Sequence, residues 1–187
     1  NIPNSKNYKD FNKLPNNYIS LIANEFFDAL PIKQYIRINN NWHERLIDLD
    51  PNNENKFRFV YAKKPSTYLK KIFNFSSKHK IIEVCINTIN IVKEISYRIN
   101  NYGGIALIID YALQDDDYYG SFQAIKKHNF IDPLSEPGFI DLSTRVNFDI
   151  IKKIAKDSGA NVYGPITQNK FLKNLGIDIR LQQLVQA

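Results

Sequence analysis

Two acidic clusters sit directly after apolar runs in this 187-residue chain. The run YISLIAN (residues 18–24) leads into Glu25, Phe26, Phe27 and Asp28, and Pro31 closes the segment. In an open α/β sheet, ligands bind beyond the carboxyl ends of the strands. Asn24 and Glu25 are the first polar residues there. With Asp28, Glu25 can hold a cation such as a guanidinium by charge-assisted hydrogen bonds. The same residues also suit a plainer purpose, in which Asn24 ends a strand and Asp28 caps the next turn. Spacing leaves both readings open.

IALIIDY (residues 105–111) repeats the pattern. It delivers Asp110 and Tyr111 either to the same rim or to a turn. His128 and Asp132, four apart in HNFIDPL, form a candidate proton-handling pair, with a structural hydrogen bond as the competing account of His128. They lack the further ligands of a metal site. Asp115, Asp116 and Asp117 have no regular cation-binding spacing and read as a solvated loop. Cys85 is the only cysteine. It allows neither an internal disulfide nor a cysteine metal cluster, and within IIEVCI it reads as a core thiol.

The elements that must position these residues follow from periodicity. Residues 18–24 form a continuous apolar run, the pattern of a strand buried on both faces. FFDALP then reads as a short turn or helical piece ended by Pro31. IKQYIRI and WHERLIDLD alternate around Asn39, Asn40 and Asn41, which predicts a hairpin with Trp42 as its core anchor. KFRFVYA is a third alternating strand, and PSTYLKKIF a short helix begun by Pro65 and Ser66. HKIIEVC predicts another strand. Residues 87–101 turn helical, with Ile89, Val92, Ile95, Ser96 and Ile99 on one stripe and Gly103-Gly104 as the stop. Asn147 is a good N-cap for a helix with Ile150, Ile151, Ile154 and Ala155 inward and Gly159 at its end. NVYGP predicts a late strand, and TQNKFLKNL and DIRLQQLVQ predict terminal helices. The order strand, insert, helix, strand, helix, strand is an α/β arrangement, with the antiparallel insertion at 33–62.

Composition adds bounds. Hydrophobic residues make up 43% and charged residues 24%, ordinary for a globular domain with a sizeable core. The net charge of +6 and pI near 9.2 permit acidic partners, but the lysines are scattered and no RNA-binding signature appears. Nucleic acid is therefore not expected as a partner. No apolar stretch nears the roughly 20 residues needed to cross a bilayer, so no membrane partner is expected either. The start lacks the apolar core of a signal peptide, which predicts an intracellular protein. There is no methionine, and all seven glycines lie at or after Gly103. None forms a phosphate-cradling cluster, whereas a complete nucleotide-binding α/β domain opens with a strand and a Gly-rich turn.

The segments LIANEFFDALPIKQYI, WHERLI, GGIALIIDYA, GSFQAIKKHNFIDPLSEPGFIDLSTRVNF and GPITQNKFLKNLGIDIRL occur in one familiar order. Together they resemble the MidA family of S-adenosylmethionine-dependent methyltransferases, which includes a mitochondrial protein arginine methyltransferase needed for respiratory complex I assembly. The resemblance implies a class I methyltransferase-like, Rossmann-like fold with a mostly parallel sheet. YISLIA would be its fourth strand and IALIIDY its fifth. The cofactor loop and the ribose-binding acid of the family belong to its first two strands, so residues 1–187 would be its C-terminal portion, incomplete on the N-terminal side.

The implied cofactor is S-adenosylmethionine, and the implied partner a protein substrate presenting an arginine side chain. The implied catalytic residues are Glu25 and Asp28, with Asn24 and His128. Asn24, Glu25 and Phe26 would face the cofactor, and Asp110, Tyr111 and Asp132 the substrate. No metal is implied. The setting would be bacterial cytoplasm or mitochondrial matrix. A fourth strand without its neighbour exposes an apolar edge, which predicts a homodimer or pairing with an N-terminal portion. The alternative is a non-catalytic fragment acting as an interaction or assembly module. Three positions depart from the family pattern: Ala112 replaces the glycine of DYG, Arg145 a histidine, and Asn147 an aspartate.

Overall fold

The computed structural model describes residues 5–69, 79–114 and 117–186. In chain order it contains a 3-10 turn (Phe11–Lys13), β1 (Ile19–Asn24), β2 (Lys33–Ile38), β3 (Asn41–Asp50), β4 (Asn53–Tyr61), β5 (Ile81–Val84) and α1 (Ile86–Tyr102). Then follow β6 (Gly104–Ile109), β7 (Gln123–Lys126), β8 (Asn129–Ile131), β9 (Asp141–Ser143), α2 (Phe148–Asp157), α3 (Gln168–Asn174) and α4 (Ile177–Val185).

The two apolar runs pair side by side. β1 lies parallel to β6 in the register Leu21↔Ala106, Ala23↔Ile108 and Asn24↔Ile109. Because side chains alternate along a strand, Leu21, Ala23 and Ile108 share one face. Val92 and Ile95 of α1 and Ile151 of α2 bury that face, with Phe27 and Val146 in the same cluster. Each fully buried aliphatic side chain contributes roughly 1.5–3 kcal/mol. The opposite face is bare: Ile22 is 74% and Ile105 63% exposed. The expected burial of β1 on both faces is therefore met on one face only within this chain.

The helices begin and end where their caps dictate. The Asn147 side chain accepts the Ile150 amide at 3.1 Å at the start of α2. Gly103, at φ 77°, closes α1 by donating its N–H to Ile99 O. Cys85 corrects the reading of it as a core thiol. It is half-buried at the strand–helix junction, where its Sγ accepts the Thr88 amide at 3.3 Å as the N-cap of α1. Arg98, unremarked in the sequence, is buried on α1 and donates to Phe11 O at 2.6 Å and Pro15 O at 3.4 Å, pinning the N-terminal segment to the helix.

The insertion is an antiparallel sheet of order β4-β3-β2-β5. Asn39 and Asn40 both have positive φ, 46° and 61°, which suits a two-residue hairpin turn. Trp42 packs against the small core of Tyr35, Leu69, Ile82 and Val84, as its hairpin role requires. The sheet reaches beyond residue 62, because β5 pairs antiparallel with β2. Of the predicted helix in PSTYLKKIF, Tyr68 and Leu69 are helical, and residues 70–73 lie outside the described residues. A third sheet has the order β8-β7-β9. The predicted helices at the end appear as α3 and α4. The predicted strand NVYGP does not form: residues 160–167 have no ladder partner among the described residues, and Pro165 has no amide to give one.

Gly104 is where β6 can come no closer to β1. A Cβ there would sit 2.3 Å from the Ile19 carbonyl oxygen, at φ +143°. Gly104→Ala is expected to destabilise the chain by more than an average substitution, since backbone must move. Ile95→Ala is expected to lose about 2–5 kcal/mol through the cavity it leaves. Urea unfolding followed by circular dichroism checks both.

Candidate functional site

The carboxyl ends of β1 and β6 are neighbours, because the strands are parallel and in register through Asn24↔Ile109. The chain then turns sharply. Glu25 adopts φ 47°, uncommon for a residue with a side chain, and its N–H is held by Ile109 O at 2.9 Å. Asp110 holds the rest of the turn. Its Oδ2 accepts the amides of Phe27 at 3.0 Å and Asp28 at 3.3 Å, and its Oδ1 accepts the amide of Tyr111 at 2.9 Å. Phe27, 2% exposed, plugs the core beneath. Phe26 stays outside, edge-on to Phe27 at 5.2 Å between ring centres.

This geometry sorts the acidic residues. Asp110 is occupied as a clamp for backbone amides. Glu25 and Asn24 are exposed on the rim. The Tyr111 hydroxyl points to Glu25 Oε1 at 3.5 Å, the far limit of a hydrogen bond. Asp28 is half-buried, and its Oδ1 is shielded from solvent with no hydrogen-bond partner among the described residues. Burial, and secondly repulsion from Asp110, raise the Asp28 pKa above the ordinary 3.8, partly offset by backbone hydrogen bonds from Ala29 and Asp28 itself.

His128 and Asp132 do not join this group. His128 is exposed at φ 63° beside Lys127 at φ 49°, the two-residue turn between β7 and β8. Asp132 Oδ1 accepts the Leu134 amide at 2.9 Å within its own loop. Among the described residues, no hydrogen bond or ion pair links His128 to Asp132, or either to residues 24–28. Among the described residues there is also no cluster of three or more His, Cys, Asp or Glu arranged to hold a metal ion. Asp115 and Asp116 lie outside the described residues, while Asp117 faces Arg145 at 3.6 Å and accepts the Gln114 amide.

Two residues passed over in the sequence support the rim. Thr144 donates its N–H at 3.0 Å and its hydroxyl at 3.4 Å to Asp28 O. Val146 continues this contact, bridging Ala112 in parallel and exchanging hydrogen bonds with Tyr111 and Leu113. Their signal was the STRVNF block, whose role depends on a contact more than a hundred residues away in sequence.

Asn24, Glu25 and Phe26 stand exposed at the strand ends, while the chain's glycines form no cradle near them.

Residues 4–166 match the model of a family described as "Putative S-adenosyl-L-methionine-dependent methyltransferase". The chain is 38% identical over 179 residues to the mitochondrial protein arginine methyltransferase NDUFAF7 of Xenopus laevis, covering 96% of this chain and 40% of that protein. Its identity to the Homo sapiens protein of the same name is 36% over 179 residues, again covering 40% of the relative. The chain thus spans about two-fifths of the length of the curated relatives it matches. Two crystal structures from Burkholderia thailandensis share the fold at 22% identity. One superposes with a TM-score of 0.76, covering 91% of this chain and 47% of that one. The other, bound to S-adenosyl-homocysteine, gives 0.73 and covers 46% of that chain.

A carboxylate whose folded-state pKa is raised favours its protonated form in the folded chain. That contribution is present below the ordinary value of 3.8 and is lost as pH climbs through the raised value. Asp28→Asn is therefore expected to be more stable than the wild type near neutral pH. The gap should grow as pH rises above 3.8 and then level off. Thermal melts of both chains from pH 3 to 8 check the direction.

Proposed function

This chain belongs to the MidA-type family of S-adenosyl-L-methionine-dependent methyltransferases, and from that premise we propose that it forms the acceptor side of a methyl-transfer site. The acceptor is a protein arginine. S-adenosylmethionine, when bound, supplies an electrophilic methyl group on a sulfonium. Asn24, Glu25 and Phe26 face it, and the family resemblance implies that the Gly-rich cofactor loop and the ribose-binding acid lie outside the segment matched here. The guanidinium is a poor nucleophile because its cationic charge is delocalised. Glu25 orients it and stabilises the charge that develops on it, which is the kind of fixed electrostatic help that methyl transfer needs. Asp28 adds a second carboxylate on the same loop, and Tyr111 sets the Glu25 rotamer. Phe26 gives the arginine stem an apolar surface.

The observation that carries this reading is Glu25 itself. Its backbone lies in the left-handed region, its N–H is fixed by Ile109 O, and its side chain is exposed at the ends of both parallel strands. Strained backbone conformations persist where surrounding structure imposes them, and they cluster at functional sites. The relatives' names support a mitochondrial setting, so we place the chain in the matrix, with a bacterial cytoplasm as the other setting of the family.

A second reading rests on the bare face of β1 and on its second edge, which pairs with no strand among the described residues. Ile22 and Ile105 are an apolar surface that a non-catalytic assembly module would use for pairing.

Labelled-methyl transfer to an arginine-containing protein separates the two. The chain is assayed alone and mixed with the portion of a relative outside the matched segment. Transfer is expected only in the mixture. Glu25→Gln should lower its rate about 100-fold or more, with an unchanged melting temperature. An unaltered rate for Glu25→Gln removes the catalytic role, and association without any transfer favours the assembly module.

A further inference from the structure

We propose that Glu83 of β5 is a positioning residue for the acidic loop at residues 24–28, acting through Ser121 and the Thr144–Arg145 backbone. The inference deepens the reading of that loop as the acceptor rim and rests on it. Glu83 lies in the inserted sheet, and its hydrogen bonds go to Gln34, Ser121 and Phe122 rather than to the loop itself. Its half-buried carboxylate receives four hydrogen bonds. Oε1 accepts Gln34 Nε2 at 2.8 Å and the Phe122 amide at 2.8 Å. Oε2 accepts the Ser121 amide at 2.9 Å and the Ser121 hydroxyl at 2.5 Å.

The Ser121 oxygen passes the constraint on by accepting the Arg145 amide at 2.8 Å. The preceding residue, Thr144, holds Asp28 O with both its N–H and its hydroxyl. Asp28 in turn gives its amide to Asp110. Gln34, Ser121 and Thr144 are each 8% exposed, so little of this path is open to competing water. The approach to Glu83 is also tight. A Cβ on Gly120 would lie 3.0 Å from Glu83 Oε1 and 3.1 Å from Ile81 Cγ2, at φ +89°. Arg45 completes the far end, donating Nη1 to Gln34 Oε1 at 3.4 Å while its guanidinium lies over the Phe59 ring.

All four groups facing Glu83 are donors, two on each oxygen. A glutamine of the same shape must turn an NH2 toward one of those pairs, whichever way its amide is flipped. Glu83→Gln therefore leaves either the Ser121 or the Phe122 amide without its acceptor, without removing volume. Ser121→Ala leaves the Phe122 and Gln34 contacts in place and cuts the link to Arg145.

Hydrogen–deuterium exchange on this chain reads the outcome at single amides and requires no methylation activity. A failed transfer assay and a failed positioning role are thus distinguishable. In Glu83→Gln, exchange at Ser121, Phe122, Thr144 and Arg145 is expected to accelerate, and so are the amides of Phe27 and Asp28, by about tenfold, the equivalent of one lost hydrogen bond. In Ser121→Ala, Arg145, Thr144 and Asp28 accelerate while Phe122 does not. The β1–β6 ladder amides keep their wild-type rates in both variants. Wild-type exchange at Phe27 and Asp28 in both variants overturns the proposal, as does a uniform acceleration that includes the β1–β6 ladder.

Discussion

The Asp110 carboxylate accepts the backbone amides of Phe27, Asp28 and Tyr111 and so ties the turn after β1 to the end of β6. Ionised acceptors make the stronger class of hydrogen bond, and a buried amide left without its acceptor is costly. This clamp lets an otherwise unfavourable turn exist. It draws the chain back under the strand end, drops Phe27 into the core between β1 and the helices, and leaves Glu25 in the left-handed region with its side chain outward. Parallel pairing of β1 and β6 brings the two ends together, and the clamp gives the junction its shape.

Three carboxylates within a few residues thus have different environments. Asp110 is consumed by backbone amides. Asp28 is half-withdrawn from water beside another carboxylate, which disfavours its charge. Glu25 remains open to solvent. Their division follows from the register Asn24↔Ile109, since a one-residue slip would exchange the faces on which these side chains emerge.

The departures from the family pattern are absorbed without strain. Ala112 has no positive φ and forms a parallel bridge with Val146, so the glycine's freedom is not required there. Asn147 caps α2 as an aspartate would. Arg145 directs its side chain to Asp117, while its backbone amide serves Ser121. At position 145 the contact to Ser121 is made by the backbone amide, so it tolerates a change of side chain there.

Much was legible in the sequence because it depends on local chemistry. The apolar runs at 18–24 and 105–111, the Asn39–Asn40 turn, the Asn147 cap and the helical stripe with Val92 and Ile95 each follow from propensity and period. Glu25 and Asp110 were visible as acids at strand ends. Their separate duties were not, because a carboxylate that clamps amides and one that faces solvent have the same letter pattern. The strand expected at NVYGP but not formed and the cap formed by Cys85 have the same origin: a strand needs a partner that composition cannot supply, and a thiol's neighbours depend on where the helix begins. The sequence alone determined which residues carry charge at the ends of buried strands. Only the tertiary structure decided which of those charges are occupied, because hydrogen bonds across 80 or more residues in sequence leave no local trace.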